Sequence, residues 1–150
     1  LQDRRVGREN LWKEAQKRGI AKERIIFAQR LPTKEHLKRL EFIDLFLDTF
    51  PYNAHTTASE AIRAGVPILT LRGKSFPSRV ASSILTNVGL ESLISTNLKD
   101  YEKKAISLVK NDNEISNLKK HLKQESNLNK LFNNKVFTKD IEKINKEILD

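Results

Sequence analysis

The chain has 150 residues, 38% of them hydrophobic and 31% charged, which is the size and make-up of one ordinary domain. No apolar run reaches the roughly 18 residues that a membrane-spanning helix needs, and without cysteine there can be no disulfide, thiolate metal site or cysteine nucleophile. The net charge of +9 is concentrated at the start, with nine Lys/Arg against four Asp/Glu in residues 1–30; it suits a polyanion or, more simply, a solvated lysine-rich surface.

In chain order, Glu9–Arg18 reads as a helix stopped by Gly19, and Arg24-Ile25-Ile26-Phe27-Ala28 as a short buried strand. Pro32 and Thr33 open a helix to about Leu40, with Thr33 as the N-cap. Ile43–Leu47 reads as the next strand, ending at Asp48 and followed by a polar loop, Thr49 to Ala54. Thr56 or Thr57 is expected to cap a helix to Ala64, closed by Gly65. Strand Ile68–Leu71, a turn at Arg72-Gly73-Lys74 and a helix from Pro77 or Ser78 to about Asn87 complete the alternation. Leu90–Ile94 suggests an edge strand, and Leu98–Val109, Ile115–Gln124 and Lys139–Leu149 are amphipathic helices. The expected fold is therefore α/β: a partial Rossmann-like parallel sheet flanked by helices over residues 8–95, with a helical C-terminal third over residues 96–150. Three or four strands are few for a free-standing doubly wound domain, and the chain has no Met, even at position 1. Both features suggest a piece of a longer protein whose first strand lies upstream.

Ligands of open parallel sheets bind outside the carboxyl ends of the strands, and the most informative such segment is Asp48–Glu60. In His55-Thr56-Thr57, two hydroxyls and an imidazole meet the start of a helix, where free N–H groups and the helix dipole favour a phosphate or diphosphate. N-capping by Thr57, with His55 on the surface, is the simpler account of the tripeptide taken alone. Glu60, one turn on, can accept hydrogen bonds from ribose hydroxyls or serve only as a charge near the dipole. His36 and Arg39 share a helix face that suits a flat base or merely an exposed polar surface.

Taken together, Phe46 to Thr57, Glu60-Ala61, Ala64 to Thr70 and Ser78 to Ser83 resemble the O-linked N-acetylglucosamine transferase family, including its bacterial and SPINDLY-type relatives. Arg24 to Phe27 with Pro32 and His36 fits the same pattern upstream, and Leu90 to Ile94 with Tyr101 fits it downstream. The resemblance covers roughly residues 10–137, with the motifs in order and at matching spacing.

The resemblance implies the C-terminal, nucleotide-sugar-binding domain of a GT-B glycosyltransferase, with residues 1–150 as a fragment of it. It implies metal-independent inverting transfer from a UDP-sugar, in first place UDP-N-acetylglucosamine, to Ser or Thr of a protein acceptor, with no cofactor. By matched position, the Leu31 main chain would meet the base edge and His36 would stack on the base with Arg39 beside it. His55, Thr56 and Thr57 would hold the diphosphate, and Glu60 the ribose hydroxyls. The chain departs from the animal enzyme in two places: Thr33, with Lys34 after it, stands where a lysine follows the proline, and Glu60 stands where an aspartate does. The diphosphate-binding lysine, the N-terminal Rossmann-like half, the candidate catalytic residues and the tetratricopeptide repeats would all lie upstream, so no catalytic residue is assigned here and the isolated chain is expected to be inactive. No Asp-x-Asp metal motif is present. The rival readings are a related GT-B transferase using GDP-fucose and a non-catalytic basic binding module. Against nucleic acid stands the single tryptophan, Trp12, with no interleaving of aromatic and basic residues. A cytoplasmic location, no membrane contact and self-association through an unpaired sheet edge complete the expectations.

Overall fold

The computed structural model describes residues 4–124, Leu128 and residues 131–149. The chain divides into two compact units, the first ending at Pro32 and the second starting at Thr33. Part of the sequence-based C-terminal helical region, residues 125–127, 129, 130 and 150, lies outside the described residues.

The first unit is helix α1 (Arg4–Lys17), a single 3-10 turn (Lys22–Arg24) and an irregular stretch to Pro32. Gly19 ends the helical region with φ +73°, as its position suggested. The strand expected at Arg24–Ala28 does not form. A strand needs a ladder partner for its backbone groups, and this stretch turns back on α1 instead. The Ile25 carbonyl accepts from Trp12 Nε1 at 3.5 Å. The Phe27 ring meets Trp12 edge-on, with centroids 5.1 Å apart, and Ile26 is left 86% exposed.

The second unit carries helices α2 (Thr33–Leu40), α3 (Thr56–Arg63), α4 (Val80–Asn87), α5 (Leu98–Val109), α6 (Asp112–Lys123) and α7 (Asn134–Leu149). Its strands are β1 (Phe46–Leu47), β2 (Ile68–Leu71) and β3 (Ile94–Ser95), parallel in the order β1-β2-β3. Phe46 lies opposite Ile68, and Thr70 opposite Ile94. Successive residues of a strand face opposite sides of the sheet, and all four residues of β2 are buried, so both faces are covered. One side packs Ile68 with Ala58, Ala61 and Ile62 of α3 and with Ala81, Ile84 and Leu85 of α4. Leu108 of α5 and Leu122 of α6 extend this core. Leu90–Ile94, expected as an edge strand, is a 3-10 turn (Glu91–Leu93) leading into the short edge strand β3.

Helix α3 ends in a Schellman motif. Gly65 has φ +79°, its N–H bonds the Ile62 carbonyl at 3.0 Å, and the Val66 N–H bonds the Ala61 carbonyl at 2.9 Å. The left-handed conformation is what makes Gly the residue there. The turn lets the chain re-enter the sheet at once as β2, which keeps the N-terminus of α3 at the carboxyl end of β1.

Candidate functional site

The carboxyl ends of β1 and β2 each release a loop, and one buried acid organises the first. Asp48, directly after β1, is 6% exposed. Its Oδ1 accepts from the backbone N–H of Thr49 at 2.8 Å and of Ala54 at 2.7 Å, and its Oδ2 accepts from Thr70 Oγ1 of β2 at 2.7 Å. Tyr101 of α5 donates its hydroxyl to the Asp48 carbonyl at 2.9 Å. Burial, and next the Asp48 carboxylate, push the Tyr101 phenol pKa upward, so it stays protonated and remains a donor. Asn53 closes the loop by donating Nδ2 to the Thr49 carbonyl at 2.8 Å, while its own N–H reaches the Pro77 carbonyl at 3.0 Å. The two loops are thereby tied together.

This loop delivers His55 to the N-cap position of α3, correcting the expectation that Thr56 or Thr57 would cap the helix. Thr56 and Thr57 are the first two helical residues, and the His55 side chain makes no capping hydrogen bond to the free N–H groups of the first turn. Both threonines are exposed. The His55 ring stacks on Tyr52, with centroids 4.9 Å apart and planes 14° apart, and meets Phe76 edge-on at 6.1 Å. Its Nε2 is buried with no hydrogen-bond partner. An imidazole N–H or lone pair in that state is costly unless a ligand or water satisfies it.

The second cluster joins α2 to α3. Arg39 Nη2 lies 2.8 Å from His36 Nδ1, and His36 Nε2 lies 3.6 Å from Glu60 Oε2. Arginine only donates, so Nδ1 is the acceptor and Nε2 carries the proton that faces the carboxylate. His36 and Glu60 are each a little over a quarter exposed, so the triad is ordered yet open to solvent. Of the seven residues singled out from the sequence, six are carried by α2 or by the start of α3: His36, Arg39, His55, Thr56, Thr57 and Glu60. Leu31 belongs to the first unit, in its irregular stretch, and is 39% exposed.

The sequence marked the segment Asp48–Glu60 but assigned no individual role to Asp48, Asn53 or Gly73. Asp48 carried a usable signal, as an acid at the end of an apolar strand. Gly73 carried none, because what it needs is clearance: a Cβ there would run into Ser78 Oγ and lie 2.8 Å from Ser78 Cβ.

The parallel sheet, with the start of α3 and the His36–Arg39–Glu60 triad at its strand ends, has the fold of the C-terminal domain of a GT-B protein, as a solved structure shows. A solved structure of a mutant O-GlcNAc transferase from Thermobaculum terrenum superposes with a TM-score of 0.84 at 30% identity, over 95% of this chain and 27% of that one. The profile of Glycosyl transferase family 41 matches residues 1–141, and the chain belongs to that family. Among similar proteins, the probable UDP-N-acetylglucosamine–peptide N-acetylglucosaminyltransferase SPINDLY of Solanum lycopersicum is 36% identical over 110 residues, covering 73% of this chain and 12% of its own length. The UDP-N-acetylglucosamine–peptide N-acetylglucosaminyltransferase of Caenorhabditis elegans is 29% identical over 136 residues, covering 91% and 12%. The chain thus spans about an eighth of these relatives.

Proposed function

We propose that this chain is the donor-binding domain of a protein O-glycosyltransferase that carries UDP-N-acetylglucosamine and transfers the sugar to Ser or Thr without a metal. The observation that carries the reading is the open N-terminus of α3, with the unpartnered Nε2 of His55 beside it and the His36–Arg39–Glu60 triad one turn along. In this reading the N–H groups of the first turn, the two threonine hydroxyls and His55 meet the diphosphate. As the bond to the sugar breaks, negative charge grows on the diphosphate leaving group, and these fixed donors stabilise it in place of a cation. His36, oriented by Arg39, faces the base; the main chain at Leu31 meets the base edge, and Glu60 accepts from the ribose. A protein acceptor, a cytoplasmic location and self-association through the free edge of β1 belong to the same reading. Two relatives, of which this chain spans about an eighth, are named as peptide N-acetylglucosaminyltransferases, which supports it.

Calorimetry with UDP and GDP tests the donor. Tighter binding of UDP is expected, whereas a preference for GDP would move the reading to a GDP-sugar such as GDP-fucose. Glu60→Gln should lower affinity for UDP by about tenfold while leaving 2′-deoxy-UDP nearer to unchanged, since an amide has one acceptor oxygen where the carboxylate has two. Equal losses for both nucleotides would make Glu60 a charge near the dipole only. The 150 residues alone should release no labelled sugar onto a peptide, because a GT-B site forms between two domains. Turnover by this chain alone in a radiolabel assay would refute the assignment of catalysis to the rest of the protein.

A further inference from the structure

A second feature sits at the carboxyl end of β2, beyond the residues assigned to the donor. The loop and helix start that follow β2 frame a groove of about 650 Å³, lined by Arg72, Lys74, Phe76, Arg79, Ser83 and Asn87 among others. No carboxylate lines it among the described residues. Arg72, Lys74 and Arg79 are exposed, and none forms an ion pair among the described residues. On the same surface Lys104 pairs with Asp100 and Lys119 with Asp44. Three cations gathered around one concavity set up a positive potential there that attracts an anion.

The groove is built on a stiff frame. Gly73 leaves no room for a side chain, its N–H bonds the Ser78 carbonyl at 2.9 Å, and Ser78 Oγ bonds the Ser75 carbonyl at 2.8 Å. The charges around it are carried at set points of the backbone. Its rim is also continuous with the donor site: Phe76, 78% exposed, is the residue whose ring meets the His55 ring edge-on, and Pro77 takes the Asn53 N–H. Whatever fills the groove therefore lies next to the diphosphate end of the donor, where an acceptor must approach.

We infer that the Arg72–Lys74–Arg79 groove binds acidic residues flanking the acceptor Ser or Thr of a protein substrate. The inference rests on the protein-acceptor reading above and gives that acceptor a chemistry. Carboxylates of a short peptide segment match three separated cations, and Phe76 supplies an apolar contact for their aliphatic stems. A nucleic acid fits less well: Phe76 is the one aromatic ring among the described lining residues, where a single strand needs a series of them.

The test uses the full-length protein and two Ser-centred peptides that differ only in carrying Glu or Gln beside the serine. At low salt the Glu peptide should have a KM lower by about fivefold, the scale of a few partly exposed charge pairs, and the preference should fade as salt is raised. Arg72→Ala with Lys74→Ala should bring the ratio of the two KM values towards one, and Arg72→Glu with Lys74→Glu should invert it. The Kd for UDP is measured on every variant as a check on folding and on the donor site. Equal KM values for the two peptides in the natural protein, or a preference that survives both double variants, would overturn the inference. So would a single-stranded oligonucleotide whose binding is lost in the variants while the peptide ratio stays put. If the protein transfers nothing, fluorescence anisotropy of the two labelled peptides supplies the same ratio from binding alone. Failure to bind UDP in that case refutes the donor reading, and the peptide ratio still judges the groove.

Discussion

Replacing Thr56 and Thr57 together by alanine should weaken UDP binding by at least about a hundredfold while changing uridine binding less than about threefold. Each hydroxyl is read as donating to an ionised phosphate oxygen, and a hydrogen bond to a charged group contributes about 1.5–3 kcal/mol. Both residues are exposed in the first turn of α3 and neither caps the helix through its side chain, so their loss should cost the fold little. Alanine is also a better helix former than threonine, which works against any structural explanation of lost binding. The contrast between nucleotide and nucleoside is the informative quantity, since uridine lacks the phosphates that the hydroxyls address. Equal losses for UDP and uridine in calorimetry would detach the threonines from the diphosphate.

The second large effect is expected at Asp48. Changing it to alanine strands three donors at once, the N–H groups of Thr49 and Ala54 and the hydroxyl of Thr70, the last of them in a fully buried residue. An unsatisfied buried polar group costs about 1–3 kcal/mol, so the variant should lose about 3 kcal/mol or more. For a chain of this size that lowers Tm by roughly 10 °C. Asp48→Asn keeps one acceptor oxygen for the two backbone groups and should lose about 1 kcal/mol. Affinity for UDP should follow the same order, because the loop that Asp48 holds is the one that sets His55 at the start of α3. An alanine variant with the natural Tm and natural UDP affinity would show that the loop is held by other contacts, with Tyr101 and Asn53 the next residues to examine.

The groove after β2 and the α3 start make one surface divided by the Phe76 ring. A donor on one side and an acidic acceptor segment on the other would place unlike charges apart, with the diphosphate against helix N–H groups and the carboxylates against Arg72, Lys74 and Arg79. This separation predicts that the two double variants act independently: the threonine pair on UDP, the Arg72–Lys74 pair on peptide choice. Sites that share no partner and lie apart contribute additively.

Much of this protein is determined by local sequence. Strand Ile68–Leu71 and helix Leu98–Val109 are found with the bounds their patterns suggested, because a strand with three aliphatic residues in four between Pro67 and Arg72 and a helical repeat behind the Asn97 cap each need only short-range physics. Gly65 likewise marks its turn by residue type alone, since a φ of +79° suits little else. The residues of α2 and α3 were legible as a pair of polar faces, and the order of the motifs pointed to the family. Tertiary structure decided the rest. Arg24–Ala28 has strand-like composition, yet Trp12 draws Ile25 and Phe27 onto α1, and a strand without a ladder partner has nothing to bond. Whether Thr57 or His55 caps α3 depended on Asp48, which pulls the Ala54 N–H towards it from six residues away and so fixes where the helix starts. The contact of His36 with both Arg39 and Glu60 required α2 and α3 to meet, and only the fold gathers Arg72, Lys74 and Arg79 around one groove with no carboxylate among its described lining residues. Periodicity and turn chemistry act over a few residues and can be read along the chain, whereas partner choice for a buried donor, a ring or a charge is made across the fold.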